Sequence, residues 1–212
     1  MEDLRENLWS HFFKSPRKNY NPYMFRLLDY PEYIIYDKKI MDSYKGKWHE
    51  FFGNDNPIYL EIGSGSGNFA QGMAKRYPER NHMGLELRFK RLVLSANKVK
   101  RDGSTNALFL RRRGEEILEF VAENEVDGIY VNFPDPWEEN EKNRVVQESF
   151  FKTLDVILKK GGMFYFKTDH DKYYQDVIDL VESLDGYRVV YHTADLHKSC
   201  LLYTSDAADD MQ

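Results

Sequence analysis

The stretch NFPDPW, Asn132 to Trp137, follows the apolar run Gly128-Ile129-Tyr130-Val131 and sets a carboxylate, Asp135, between two prolines and beside an aromatic ring. Pro134 and Pro136 forbid both continuation of a strand and a helix through Asp135, so the acid is held rigidly where the strand stops. A carboxylate fixed in this way can accept hydrogen bonds from a ligand and offset a positive charge that develops on it.

A second stretch, YLEIGSGSGNFAQGMAKRYP, places Glu61 ahead of Gly63, Gly65 and Gly67, with a helical pattern opening at Asn68. Alternate glycines between a strand and a helix let the backbone pass close to a ligand at the helix N-terminus. Their spacing, Gly-x-Gly-x-Gly, is not the Gly-x-Gly-x-x-Gly of dinucleotide-binding enzymes, and no Gly-Lys-Ser/Thr follows to grip a triphosphate. Glu86, nineteen residues after Gly67, ends the next predicted strand, where an acid can accept both ribose hydroxyls of an adenosine. Strand, glycine loop, helix, strand and acid together fit S-adenosylmethionine, with its aminocarboxypropyl group along the loop.

The elements that must position these residues alternate from about Ile58 onward. Ile58-Ile62, Met83-Leu87, Ala107-Leu110, Gly128-Asn132, Met163-Lys167 and Tyr187-His192 read as strands. Asn68-Tyr77, Lys90-Lys100, Glu115-Glu123, Val145-Leu158 and Asp171-Leu184 read as helices. This alternation predicts an α/β fold with a doubly wound, mostly parallel sheet. Ligands of such sheets lie beyond the carboxyl ends of the strands, so Asp135 is expected on the cofactor's rim, facing the methyl group. Residues 1–57, rich in Tyr, Lys and Asn, show no clear period and are expected to form an irregular or partly helical extension ahead of a domain over 58–199.

Bulk properties narrow the classes. A chain of 212 residues suits one substantial domain. There is no run of about 18 apolar residues to span a bilayer, and the start has no signal-like apolar block, so a soluble, cytoplasmic protein is expected. The single cysteine, Cys200, excludes a disulfide framework within the chain, and the six histidines lack the paired Cys/His spacing of a zinc site. The net charge of −5 argues against a protein that coats nucleic acid. Basic clusters do occur at Lys14-Arg17-Lys18, Arg88-Lys90-Arg91, Lys98-Lys100-Arg101 and Arg111 to Arg113, and each reads first as a solvated face.

Five stretches taken together, LEIGSGSG, MGLELRFKR, VNFPDPW, GGMFYFKTDH and DLHKS, resemble the bacterial tRNA (guanine-N7)-methyltransferases over roughly Tyr59 to Ser199. The resemblance implies a Rossmann-like fold and transfer of a methyl group from S-adenosylmethionine to N7 of the variable-loop guanine, position 46, of tRNA. It implies that Glu61 and Glu86 contact the cofactor, that Asp135 belongs to the cofactor and catalytic site, and that Asp169 of KTD contacts the substrate. The family's third cofactor contact, an Asp within Gly-Asp-Ala, falls here in RRRGEEIL near Arg113 or Glu115, and Glu115 is the acid taken for it. The family's Lys-rich loop after the Trp is shorter here and carries Glu138 and Glu139, leaving Lys142 and Arg144 as the expected phosphate contacts.

Guanine N7 carries an available lone pair, so its attack on a sulfonium methyl needs alignment more than base catalysis. Asp135 can hold the ring through its N1–H and amino group, while Trp137 stacks or packs. The sequence also departs from the family after DLHKS, where a Thr-x-Tyr-Glu segment and a last strand are expected. Residues 200–212, CLLYTSDAADDMQ, instead resemble the in-frame translation of a transposase sequencing adapter and are expected to be non-native, with the last strand missing and the chain poorly stable and inactive. Two other readings stand beside the enzyme: a non-catalytic cofactor- or RNA-binding module, and a methyltransferase acting on an amide or exocyclic amine, whose Asn-Pro-Pro-Tyr loop NFPDPW loosely echoes.

Overall fold

The computed structural model describes residues 8, 10–13 and 21–195. Among them, six strands form one sheet: β1 (Ile34–Ile35), β2 (Ile58–Ile62), β3 (Asn81–Leu85), β4 (Ala107–Leu110), β5 (Val126–Asn132) and β6 (Leu158–Lys167). Their order is β1-β4-β3-β2-β5-β6, and every pair is parallel. The chain winds outward from β2 through β3 to β4, then returns to lay β5 on the other side of β2. The loops leaving β2 and β5 are therefore neighbours at the point where the winding reverses, which is where such sheets open a crevice.

The two-residue period of a strand assigns side chains to faces. Ile58, Leu60 and Ile62 of β2 join Ile129 and Val131 of β5 in one core, with Trp48, Phe120, Phe151 and Leu154. Tyr59 and Glu61 point to the opposite face, which α3 (Asn68–Arg76) and α4 (Phe89–Asp102) cover around Phe109 and Ala107. Leu92, Val93, Ala96 and Val99 place the apolar stripe of α4 on one side at helical spacing. That helix ends at Gly103, left-handed with φ 72°, behind Lys100 and Arg101, whose charges suit a C-terminus.

Several boundaries differ from the sequence-based expectation, each for a local reason. The strand expected at Met83-Leu87 lies at Asn81–Leu85, because the Glu86 carboxylate accepts the N–H groups of Leu87 and Arg88 and turns the chain out of the sheet. The helix expected at Glu115-Glu123 is a 3-10 turn, Gly114–Glu116, and a short α5, Ile117–Phe120. The helix expected over Val145-Leu158 forms as α6 (Glu148–Ile157), since the Val146 N–H is taken by the Tyr173 hydroxyl at 2.9 Å. The strand expected at Tyr187-His192 does not form among the described residues: Tyr187 packs its ring on Phe151, while Val190 and Tyr191 are exposed and no described backbone partner pairs with the segment. An extended run without a partner for its N–H and C=O groups is not a strand.

Residues 21–57 contain a 3-10 helix (Pro22–Asp29), β1, α1 (Lys38–Ser43) and α2 (Trp48–Phe52). They pack as part of the same body: β1 extends the sheet beside β4, and the buried Trp48 donates its indole N–H to the Phe120 carbonyl at 2.8 Å. The segment carrying the expected non-native tail, 200–212, and the end of DLHKS lie outside the described residues.

Candidate active site

The glycine loop follows Glu61 at the end of β2. Gly63, Gly65 and Gly67 are all left-handed, with φ of 74°, 57° and 77°. A Cβ on Gly67 would stand 2.6 Å from that of Ser95, so this residue must be glycine for α4 to approach. Side chains at Gly63 and Gly65 would meet nothing within 4 Å, which leaves open space above the loop. From below, α4 grips the loop: Ser95 donates to the Gly65 carbonyl at 3.3 Å, and Lys98 donates to the Ser66 carbonyl at 3.0 Å and to the Asn68 side chain. Burial lowers the pKa of the Lys98 ammonium, with Arg101 adding to the effect.

Glu61 is buried, and one carboxylate oxygen accepts from the Asn132 amide at 3.0 Å. Its other oxygen and the amide oxygen of Asn132 have no partner among the described residues. Burial pushes the Glu61 pKa up to about 7, against the pull of the Asn132 hydrogen bond and the Lys167 ammonium. Two buried acceptor oxygens thus lie at the crevice between β2 and β5, where a cationic or N–H-bearing group could donate to them.

Glu86 and Glu115 lie on the same rim after β3 and β4. Glu86 is buried; Oε1 is taken by the two backbone N–H groups at 2.7 and 2.8 Å, while Oε2 lies 3.4 Å from Arg91. Half of the carboxylate thus shapes its own loop, and the other half is weakly engaged. Gly114 brings its 3-10 turn onto the end of β2, where a Cβ would come 3.1 Å from Ile62. In that turn Glu116 is occupied by Lys38 and Arg112, which leaves the exposed Glu115 as the acid facing outward.

The loop after β5 is built differently. Phe133 and Trp137 are left-handed at φ 49° and 44° although neither is glycine, and their side chains are 48% and 43% exposed. Such conformations persist only where the surroundings impose them. Between them Asp135 is exposed, and its Oδ1 accepts the Trp137 N–H at 3.3 Å. Residues Asp135 to Asn140, with Asn143, line a shallow, open depression of about 380 Å³. Asp169 is exposed in the turn between β6 and α7 (Asp171–Ser183), one strand over from Asp135. The expected contacts Glu61, Gly63, Gly65, Gly67, Glu86, Glu115, Asp135 and Asp169 all stand on the carboxyl-end rim of strands β2 to β6.

Residues 55–208 match the family model described as "Putative methyltransferase". The chain belongs to this methyltransferase family. It is 58% identical over 202 residues to a "Bifunctional glycosyltransferase/methyltransferase" of Fusobacterium nucleatum, covering 94% of this chain and 32% of that protein. The chain therefore spans about a third of the length of that relative. It is also 38% identical over 174 residues to the tRNA (guanine-N(7)-)-methyltransferase of Enterococcus faecalis, covering 80% of this chain and 78% of that one. A solved structure described as "Structure of an Antibiotic Related Methyltransferase" superposes with a TM-score of 0.47 at 18% identity, over 62% of this chain and 71% of that one.

Within this methyltransferase, three arginines differ from the expectation. Arg144, expected as a phosphate contact, is 6% exposed and donates to the Pro136 carbonyl and to Asp176, both at 2.7 Å. It is an internal tie, and only Lys142 of that pair is exposed. The run Arg111 to Arg113 is not a solvated face either. Arg112 is buried among Asp42, Glu116 and Glu119, and Arg111 lies over Phe12 and Phe89 at 4.7 and 4.4 Å. His170 was missed by sequence reasoning: Nδ1 accepts the Tyr173 N–H at the start of α7, and Nε2 lies 3.2 Å from Glu138 of the loop after β5.

Proposed function

We propose that this methyltransferase moves the methyl group of S-adenosylmethionine to N7 of a variable-loop guanine in tRNA. The observation that carries the reading is the adjacency, at the winding reversal, of a glycine loop with unpartnered buried acceptors and a strained loop that displays a carboxylate. The relatives named tRNA (guanine-N(7)-)-methyltransferase support the substrate.

The residues fit this cofactor. The free oxygens of Glu61 and Asn132 suit an ammonium group, and the space over Gly63 and Gly65 admits a chain lying against the backbone. Glu86 offers Oε2 to the ribose hydroxyls, and Glu115, exposed on the same rim, is the acid assigned to the adenine end. When bound, S-adenosylmethionine supplies a methyl on a positively charged sulfur, which a neutral lone pair can take without prior loss of a proton. A cation beside Glu61 would favour its ionised form, opposing the burial that raises its pKa to about 7.

Asp135 accepts the N1–H and amino N–H of guanine, which fixes the ring so that N7 faces the methyl and offsets the positive charge appearing on the base. Phe133 and Trp137, exposed on either side, offer flat apolar surfaces to it. Asp169 contacts the substrate from the neighbouring turn, and Lys142 offers a charge to a phosphate. A tRNA substrate accords with a cytoplasmic location, and no helix among the described residues is long and apolar enough to cross a membrane.

The test is nucleoside mass spectrometry of unmodified tRNA incubated with S-adenosylmethionine and two proteins: the 212-residue chain, and the same chain with residues 200–212 replaced by the tail of the Enterococcus faecalis relative. N7-methylguanosine from either supports the function. Its appearance only with the second adds that the tail matters. A methylated exocyclic amine, or no methylated nucleoside from both proteins, overturns the reading.

A further inference from the structure

Asp135 is exposed and has one hydrogen bond among the described residues, so the direction of its carboxylate depends on what holds that donor. That bond comes from the N–H of Trp137, at 3.3 Å. The same peptide unit carries the Pro136 carbonyl, which accepts from Arg144 Nε at 2.7 Å. A peptide unit is planar, so a grip on its C=O also sets the direction of its N–H. The unit leads into Trp137 at φ 44°, a conformation the side chain disfavours and the loop would leave if released.

Arg144 is anchored on its far side. Nη1 donates to Asp176 of α7 at 2.7 Å, Nη2 lies 3.2 Å from Glu141, and the guanidinium carbon is 4.5 Å from the Tyr173 ring centroid. Tyr173 is itself buried and takes the Val146 N–H on its hydroxyl. The planar fork thus spans from a helix of the core to one carbonyl of the loop, a reach that a single ammonium cannot reproduce.

We propose that Arg144 is a positioning residue, whose hold on the Pro136–Trp137 peptide aims Asp135 for methyl transfer. This rests on the role of Asp135 given above, and the measurements separate the two. Arg144→Lys is compared with the parent, on whichever of the two tail forms turns over, for cofactor affinity, KM for tRNA, single-turnover rate and the 19F resonance of 5-fluorotryptophan at Trp137, assigned through Trp137→Phe.

The hold predicts a shifted or broadened Trp137 resonance and a single-turnover rate lower by about tenfold or more, the scale of a small misplacement of a reacting group. Cofactor affinity and KM for tRNA should stay within about threefold, because neither contact is lost. In Arg144→Ala, added guanidinium should return part of the rate. A raised KM for tRNA with rate and resonance unchanged makes Arg144 a phosphate contact and overturns the proposal. If Arg144→Lys does not fold, Asp176→Asn loosens the anchor while keeping the guanidinium, and an unmoved resonance with an unmoved rate there overturns it as well. A moved resonance in Arg144→Lys of a protein whose parent makes no N7-methylguanosine upholds the clamp and refutes the function instead.

Discussion

Two neighbouring loops leave the sheet at the same rim and solve opposite problems. The loop after β2 goes left-handed three times, each time at glycine, and costs the fold little because no side chain resists. The loop after β5 goes left-handed at Phe133 and Trp137, where each turn stores about 1–3 kcal/mol. The first loop carries no side chains at these positions and leaves open space over its backbone at Gly63 and Gly65, where the proposed function lays the cofactor. The second keeps its side chains and accepts strain, because those side chains are what it presents. Their supports differ accordingly: Ser95 and Lys98 hold backbone carbonyls of the first from below, and Arg144 holds the second from the side.

The largest effect expected on this contrast is electrostatic. Glu61, at the root of the glycine loop, has its folded pKa raised to about 7 by burial, so it favours folding fully below its unfolded value and loses that contribution as pH rises through about 7. His82, on the same face of the adjacent strand, has its pKa lowered to about 4 by burial, with Arg80 adding to the effect. It favours folding above its unfolded value and loses that as pH falls toward 4. The two slopes oppose each other between about pH 4.5 and 6.5. Glu61→Gln should therefore expose the His82 slope, with stability to urea falling by about 2 kcal/mol from pH 6.5 to 4.5 where the parent changes little. A flat profile in the variant would refute the assigned burial of one or both groups.

The next effect breaks the first loop by giving it a side chain. Gly67→Ala forces a methyl onto Ser95 in a left-handed conformation and should cost about 2 kcal/mol of stability, whereas Gly63→Ala, facing open space, should cost about 1 kcal/mol. Both should weaken cofactor binding, read by calorimetry. Equal thermal shifts for the two would mean that α4 does not press on the loop.

The smallest effect runs the other way. Phe133→Gly removes the resisting side chain from the second loop, so thermal stability should hold or rise by up to about 1 kcal/mol while turnover falls. A loss of stability together with unchanged turnover would reverse the view that the strain serves display.

Both loops were legible in the sequence because glycine and proline act locally. Ile58–Ile62 and Ala107–Leu110 also fall where apolar runs bounded by turn residues put them. What was not legible depends on partners distant in the chain. Arg112 meets Asp42 seventy residues away and Arg144 meets Asp176 thirty-two residues away, so neither burial can be read from neighbours. A partial signal existed: Glu116 and Glu119 stand four and seven residues after Arg112, and Glu141 three before Arg144, all at helical spacing. Tyr187-His192 has strand composition, yet strand formation requires a paired edge that composition cannot supply.

The division of labour between the loops meets its most direct test at Asp135. In Asp135→Asn, S-adenosylmethionine affinity by calorimetry is set against the single-turnover rate of N7-methylguanosine formation. The account predicts affinity within about tenfold of the parent and a rate lower by about a hundredfold or more, the scale of losing a preorganised charged partner. A rate close to the parent's would contradict it, and a collapse of cofactor affinity with a preserved rate at saturation would move Asp135 from the substrate's side of the crevice to the cofactor's.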